Sequence, residues 1–135
     1  AGVRWSTPNR QIDYVWDTTS ERWLRFQGGV PQLDQNGAQL AADNVLFLYV
    51  DYRTSAADFA SPQAVSIGSG DGWLLREGTV TGVVWGRPFA SNGWHLADDD
   101  TDEVVELTPG ITWVALARLG EGEVLDLTEA AALTG

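Results

Sequence analysis

Short β-like runs of apolar residues, separated by clusters of turn-forming residues, recur along most of the chain. Residues 12–17 alternate in polarity, with Tyr14 and Trp16 on one face, and they lead into a turn cluster at residues 17–20. Residues 23–26 resume the alternation after this cluster. Two alternating runs joined by turn residues are typical of antiparallel strands, so this region predicts a β-hairpin.

The most continuous apolar run, residues 45–52, predicts a strand buried on both faces, because its length and its β-branched and aromatic content argue against a helix. A second hairpin is expected from residues 73–76 and 79–85 across Glu77-Gly78, and residues 111–116 form the last clear strand. About eight or nine strands at a spacing of roughly 8–12 residues are typical of a sandwich or barrel. The sequence therefore predicts an all-β domain, sandwich- or barrel-like, with short, mostly antiparallel strands and little helix.

A single domain is expected over residues 1–135, with its core at about residues 12–118 and a tail at residues 119–135. The tail is compatible with one short helix from Thr128 to Leu133, capped at Thr128, and a single helical turn is expected at residues 38–43. Because the chain does not begin with methionine, we expect it to be part of a longer protein.

The charge of the chain restricts its partners. Its 135 residues carry a formal net charge of -11, and every basic side chain other than the single histidine is arginine. A negative field repels phosphate backbones, so no nucleic-acid partner is expected. The chain has no cysteine, which excludes disulfides and cysteine-based zinc sites. No apolar run of about eighteen residues occurs, so this domain is not expected to insert directly into a membrane.

Two motifs are candidate ligand-binding sites. The glycine-rich stretch Gly68-Ser69-Gly70-Asp71-Gly72 lacks the lysine and the following helix of a phosphate loop, so we expect a turn at the entry to a hairpin. The acidic run at residues 98–103 offers Asp98, Asp100 and Asp102 as calcium ligands in an extended loop. A solvated turn between two strands is the favoured interpretation of this run. No cofactor other than calcium is expected.

Tryptophan is abundant for a chain of this length. The seven tryptophans are Trp5, Trp16, Trp23, Trp73, Trp85, Trp94 and Trp113. Exposed indole rings beside carboxylates suit a sugar-stacking surface or a protein interface. Because the chain has no methionine to fill its core, burial of most of these rings is the favoured alternative.

A set of short spaced motifs carries a family resemblance over residues 14–116. The motifs are Val15-Trp16-Asp17, Trp23-Leu24-Arg25-Phe26, Gly29-Val30-Pro31, Asp34, residues 40–45, Gly68-Ser69-Gly70, Gly78, Val84-Trp85 and residues 109–114. Together they resemble the C-terminal domain of the YerB-like bacterial lipoproteins, a family of unknown function. The chain departs from the usual Tyr-x-Arg-Tyr pattern, since Trp23 and Phe26 occupy the aromatic positions and bring no hydroxyl. That difference disfavours a polar catalytic role there.

The resemblance implies an extracytoplasmic protein, anchored to the membrane through a lipidated N-terminal cysteine that is absent from this chain. It also implies a preceding domain, of which this chain would be the C-terminal companion. The family brings no established reaction, so the resemblance transfers no catalytic residue.

Three functions remain open on these grounds. The favoured one is a non-catalytic binding module that takes its own N-terminal domain, an envelope protein or a glycan as its partner. Its candidate ligand-binding residues are the polar members of the densest motif block: Arg22, Arg25, Asp34, Asp43 and Asn44. Alternatively, these residues hold the loop between the first hairpin and the central strand. The other two functions are a cell-wall hydrolase that uses paired carboxylates and a structural domain that packs on the N-terminal domain.

Overall fold

The computed structural model describes residues 1–54, 62–65, 68–87 and 95–134, and these residues form thirteen strands and one helix. The elements are β1 (Gly2–Ser6), β2 (Gln11–Asp17), β3 (Arg22–Gln27), β4 (Val30–Pro31), β5 (Ala41–Ala42), β6 (Asn44–Tyr49), β7 (Asp51–Thr54), β8 (Pro62–Val65), β9 (Gly68–Arg76), β10 (Thr79–Arg87), β11 (His95–Asp98), β12 (Thr112–Ala117), β13 (Gly122–Leu125) and α1 (Leu127–Thr134). The predicted all-β class is confirmed. The strands outnumber the expected eight or nine because β4 and β5 have two residues each and because β1 and β13 lie outside the predicted core.

Two larger sheets account for most of the strands. The first has the order β13-β1-β2-β3-β4, with β5 also paired to β3, and the second has the order β11-β10-β9-β6-β12. The pairing is antiparallel except between β6 and β12, which run parallel. β7 and β8 form a separate two-stranded sheet. No helix among the described residues is long and apolar enough to cross a membrane.

The main core lies between the two larger sheets. Its buried members are Val3, Ile12, Tyr14 and Trp23 from the first sheet, and Val45, Phe47, Leu75, Ala115 and Ala117 from the second. Successive residues of a strand point to opposite faces, so the alternate residues of β6 belong elsewhere. Leu46 and Leu48 pack in a second buried cluster with Leu74, Val83 and Trp85. The prediction that the central strand is buried on both faces is therefore confirmed.

A crossing segment, residues 99–111, connects two strands at opposite edges of the second sheet, β11 and β12. It runs over the face of the sheet that points away from the first sheet, where Val105 packs against the second buried cluster. This route returns the chain to the far edge of the sheet beside β6. β12 therefore runs parallel to β6, although every other pairing in the sheet is antiparallel.

The C-terminal residues extend the structured region beyond the predicted core. β13 pairs with β1, and α1 covers the outer face of the first sheet, where Ala130 joins Val15, Phe26 and Leu125 in a third cluster. The helix begins with a capping box in which the Glu129 amide donates to Asp126 Oδ1 at 2.7 Å and the Asp126 amide donates to Glu129 Oε1 at 3.4 Å. The cap is thus Asp126 rather than the expected Thr128.

The expectation of a turn at the glycine-rich stretch is wrong, because these residues open the long strand β9. A Cβ on Gly70 would lie 2.8 Å from Trp85 Nε1, and a Cβ on Gly72 would lie 2.7 Å from the Phe47 carbonyl oxygen. Real Cβ atoms do not approach that closely, so glycine allows the indole and the neighbouring backbone to pack directly on the strand.

The turn between β9 and β10 confirms the predicted hairpin. Both central residues have positive φ, 48° for Glu77 and 79° for Gly78. Positive φ at both positions defines a type I′ turn, which matches the twist of the strands and favours Asn-Gly. Glutamate at the first position is therefore a strained choice, since a side chain without a local hydrogen bond is disfavoured in the left-handed region.

We predict that Glu77→Asn raises the free energy of unfolding by about 0.5–1 kcal/mol, because asparagine tolerates the left-handed conformation. Urea denaturation followed by tryptophan fluorescence measures the change. Glu103→Asn is the matched control, since it removes the same charge from an exposed residue that lacks a positive φ. An equal gain in both variants would mean that relief of charge repulsion, and not turn geometry, stabilises the protein.

Candidate functional site

Asn44, at the start of β6, is fully buried, and its side-chain amide holds the crossing segment. Its Nδ2 donates to the Thr108 carbonyl oxygen at 2.7 Å and to Thr112 Oγ1 at 3.1 Å, while its Oδ1 accepts from the Thr108 amide at 2.9 Å. Three hydrogen bonds leave little of the amide available to a ligand. The alternative role concerned the loop between the first hairpin and the central strand, but the loop that Asn44 attaches to the central strand is the crossing segment, which comes later in the chain.

Asp43 performs a similar task beside Asn44. Its Oδ2 accepts from the Ile111 amide at 2.8 Å and lies 3.6 Å from an Nη of Arg22. A Cβ on Gly110 would collide with this carboxylate, so the turn before β12 fits closely around Asp43. The ion pair between Arg22 and Asp43 is half-exposed, and such pairs contribute at most about 1 kcal/mol.

Asp34 organises an exposed turn. Its Oδ1 accepts from the Asn36 amide at 2.8 Å and from the Ala38 amide at 3.1 Å. The chain then pairs Leu33 with Gln39 in an isolated bridge and enters β5, so the helical turn expected at residues 38–43 is absent from this described stretch. The backbone of residues 40–42 hydrogen-bonds to β3 and to Gln32 instead, and this strand-like pairing explains the difference.

Arg25 is the predicted ligand residue with a buried side-chain atom that has no hydrogen-bond partner. It lies directly across from Tyr14 in the β2–β3 pairing, so both side chains are on the face that meets the second sheet. The Arg25 Nε is buried and has no hydrogen-bond partner, and the same is true of Gln32 Oε1. Burial raises the pKa of Tyr14, while the positive charge of Arg25 acts in the opposite direction.

The five predicted residues therefore do not form one site. The structure joins Arg22 to Asp43, with Asn44 next in the chain, and it leaves Asp34 in its own turn. Arg22 and Arg25 are three residues apart in β3, so their side chains leave opposite faces of the strand. Only Arg25 retains unused hydrogen-bonding capacity at a buried atom.

The acidic run forms a turn after β11. Asp98 Oδ1 accepts from the Asp100 amide at 2.8 Å and from the Thr101 amide at 3.2 Å. Carboxylate oxygens of Asp98, Asp99 and Asp100 lie within 4.8 Å of one another, whereas Asp102 is outside this group and has a φ of 60°. The structure thus supports the solvated turn, and calcium binding stays a prediction.

Two surface depressions were not predicted from the sequence, because each is lined by residues far apart in the chain. A cleft of about 190 Å³ is lined by Tyr49, Val50, Asp51, Ser69, Gly70, Asp71, Trp85 and Leu119. A groove of about 270 Å³ between the second sheet and the crossing segment is lined by Leu46, His95, Leu96, Val104, Val105 and Leu107. The first is mostly polar, with two exposed carboxylates, and the second is mostly apolar.

The tryptophans are mainly core residues, as favoured by the sequence. Trp23 and Trp85 are buried, and four more, Trp5, Trp16, Trp73 and Trp113, are half-buried and pack against the main core. Trp94 lies outside the described residues. Buried indole N–H groups without partners occur at Trp23 and Trp73.

We predict that Asn44→Ala lowers the free energy of unfolding by about 2–4 kcal/mol, because it leaves the buried polar groups of the crossing segment without partners. Asp34→Ala should cost less than about 1 kcal/mol, since water can reach its exposed turn. Urea denaturation of both variants measures the difference. Comparable losses would contradict the role of Asn44 as the attachment point.

The comparisons with known proteins agree with the fold. The model of a protein family of unknown function, DUF3048, C-terminal domain, matches residues 1–114. A search of the curated proteins found no match. The crystal structure of YerB from Bacillus subtilis superposes with a TM-score of 0.77 at 20% sequence identity, covering 93% of this chain and 43% of that chain.

The chain thus spans less than half of the YerB chain, and at this identity the superposition establishes a shared fold alone. The family match extends from the first strand to the middle of β12 and includes both hairpins and the crossing segment. The chain therefore belongs to the DUF3048 C-terminal domain family, a family of unknown function with the fold of the corresponding part of YerB.

Proposed function

We propose that this domain is a non-catalytic interaction module that docks onto the N-terminal domain of its own polypeptide through an apolar strip. The apolar strip consists of the exposed side chains of Val104, Leu107 and Val114, and it borders the groove floored by Leu46 and Leu96. This strip is the observation that carries the proposal.

The three side chains of the strip lie on the outer face of the second sheet. Val104 is 83% exposed, Val114 is 45% exposed and Leu107 is 41% exposed. Leu107 and Val104 line the groove together with Leu46, and Val114 is the register partner of Leu46 in the adjacent strand. Apolar side chains that stay exposed on one face of an isolated domain are typical of an interaction surface.

An N-terminal domain is the favoured occupant for two reasons. The matching family model is described as a C-terminal domain, and the YerB chain is more than twice as long as the part that this chain covers. Exposed Asp102, Glu103 and Glu106 flank the strip. A partner with an apolar centre and a rim of arginine or lysine would complement that surface.

We also propose that the protein is extracytoplasmic and anchored to the membrane, as the family resemblance implies.

We predict that Val104→Asp uncouples this domain from the rest of the full-length gene product, because it places a charge in the apolar contact. Val124→Asp is the matched control, since Val124 is 47% exposed on β13 in the other sheet. In the 135-residue chain, both substitutions should change the unfolding free energy by less than about 0.5 kcal/mol. In the full-length product, only Val104→Asp should split a shared calorimetric transition in two.

Other results would contradict the proposal. Equal effects of the two substitutions, or a gene product with no further domain, would exclude docking in cis. Concentration-dependent self-association of the 135-residue chain that Val104→Asp abolishes, measured by sedimentation, would identify a second copy as the occupant instead.

A second candidate function is the cell-wall hydrolase, and one observation favours it. Asp51 and Asp71 line the same cleft, beside Ser69 and the Trp85 indole, which is fixed by a 2.9 Å hydrogen bond from Nε1 to the Tyr49 carbonyl oxygen. Two carboxylates that flank one bound sugar are the usual catalytic set of glycoside hydrolases.

If this second function holds, purified chain releases soluble sugars from cell-wall glycan, and Asp51→Asn or Asp71→Asn lowers that rate by at least about 100-fold. Asp34→Asn serves as the control, because its carboxylate lies in a separate exposed turn. An unchanged rate in all three variants, or no release by the wild type, would eliminate the hydrolase.

A further inference from the structure

A third surface depression, of about 300 Å³, lies between the turn that follows β1 and the turn that joins β12 to β13. It is lined by two residues with rings, Trp5 and Pro8, and by four whose side chains can form hydrogen bonds, Thr7, Asn9, Arg118 and Glu121. Small-molecule sites usually have volumes of about 300 to 1,000 Å³, so this one has room for a single small group. It shares no residue with the apolar strip or with the cleft around Asp51.

The indole of Trp5 is held in one orientation at this depression. Its Nε1 donates to Glu121 Oε1 at 3.2 Å, and its ring meets the Phe47 ring edge-on, with 5.8 Å between the centroids and an interplanar angle of 89°. Trp5 is nevertheless only half-buried, so part of it stays accessible to a ligand. A rigid, accessible aromatic ring stacks on an apolar surface with little loss of side-chain entropy.

The two turns are fixed by hydrogen bonds of their own. In the first, Thr7 Oγ1 accepts from the Asn9 amide at 3.4 Å. In the second, the Glu121 amide donates to the Arg118 carbonyl oxygen at 3.1 Å, and Glu121 Oε1 accepts from the Arg118 amide at 2.8 Å. The Ser6 amide donates to the Glu121 carbonyl oxygen at 2.8 Å and joins the end of β1 to the second turn. The lining is therefore organised before a ligand arrives, which lowers the cost of binding.

Three planar polar groups line the depression together with the indole: the amide of Asn9, the guanidinium of Arg118 and the carboxylate of Glu121. Asn9 and Arg118 are exposed, and Glu121 is half-buried. A carboxylate has acceptor positions on both oxygens, and both hydrogen bonds described above reach Oε1. Planar groups with paired donors or acceptors match neighbouring hydroxyls on a sugar ring, and the C–H face of such a ring suits an indole.

The charge of the lining restricts the ligand further. The formal charges of Arg118 and Glu121 cancel, so the depression favours a neutral ligand over a charged one. The net charge of -11 on the whole chain adds a field that repels anionic ligands. A neutral molecule with one apolar face and several hydroxyls therefore fits both the shape and the charge of the depression.

We infer that this depression is a binding site for one neutral pyranose residue of a glycan. The Trp5 indole stacks on the C–H face of the sugar ring. Asn9 and Arg118 donate to its hydroxyl oxygens, and Glu121 accepts from a hydroxyl. The site adds ligand binding to the docking proposed above and does not depend on it, because the two surfaces have no residue in common.

The test is an NMR titration of the 135-residue chain labelled with ¹⁵N, with methyl β-glucoside, methyl β-galactoside and methyl N-acetyl-β-glucosaminide as separate probes. At least one glycoside should shift the indole N–H resonance of Trp5, while that of Trp85, in the other cleft, should stay in place. Cyclohexylmethanol has an apolar ring but only one hydroxyl, so it should bind at least about tenfold more weakly than the best glycoside.

Asn9→Ala should weaken binding of that glycoside by at least about fivefold, because it removes an exposed amide that bonds to the sugar. Asn36→Ala is the matched control, since Asn36 is exposed in a separate turn, where its backbone amide, which alanine keeps, donates to Asp34 Oδ1. Trp5→Ala removes the stacking ring and should abolish the ligand-induced shift of the Asn9 backbone amide.

Several results would overturn the inference. One is the absence of any Trp5 shift with all three glycosides at about 100 mM. Another is tighter binding of methyl β-glucuronide than of methyl β-glucoside, which would show that the ligand is anionic. A shift of Trp85 without one of Trp5 would place the sugar in the cleft around Asp51, and equal weakening by Asn9→Ala and Asn36→Ala would exclude the proposed contact. Because the wild-type titration is itself decisive, a variant that fails to fold leaves the test intact.

Discussion

The buried side-chain amide of Asn44 holds in place the segment on which the apolar strip depends. Its three hydrogen bonds fix Thr108 and Thr112, and through them the end of the crossing segment and the start of β12. With the segment fixed, Leu107 borders the apolar groove. With β12 fixed alongside β6, Trp113 lies next to the ring of Tyr14. The three hydrogen bonds of one buried amide therefore determine where a long irregular connection lies.

Arginine and acidic side chains are distributed differently over the two sheets. Arg4 compensates the fully buried carboxylate of Asp13, and the hydrogen bond between them raises the pKa of Arg4. Arg22 reinforces the attachment of Asp43 to the turn before β12. Those arginines stabilise the fold through carboxylates, whereas the buried Nε of Arg25 has no hydrogen-bond partner among the described residues. Acidic side chains collect instead around the crossing segment, where they border the apolar strip.

The local patterns of the sequence predicted both hairpins and the central strand, since alternation, turn chemistry and a continuous apolar run act over a few residues. The glycine-rich stretch around Gly70 and Gly72 forms a strand instead of the predicted turn, and the difference has a physical reason. Glycine is required both in turns and where another group approaches the backbone closely, and only the positions of Trp85 and Phe47 show which requirement applies. The prediction that the candidate ligand-binding residues form one site is wrong, because strand alternation and long-range pairing separate Arg25 from Asn44.

By itself, the sequence determined the fold class, the hairpins and the family, because each of these rests on local periodicity or on motifs in fixed order. The tertiary structure alone decided which polar residues are already satisfied. In the folded domain the Asn44 amide is hydrogen-bonded to other residues of the chain, the Nε of Arg25 has no partner, and Val104 is exposed beside a groove. Hydrogen-bond satisfaction and exposure depend on contacts between residues distant in the chain, and sequence periodicity contains no information about them.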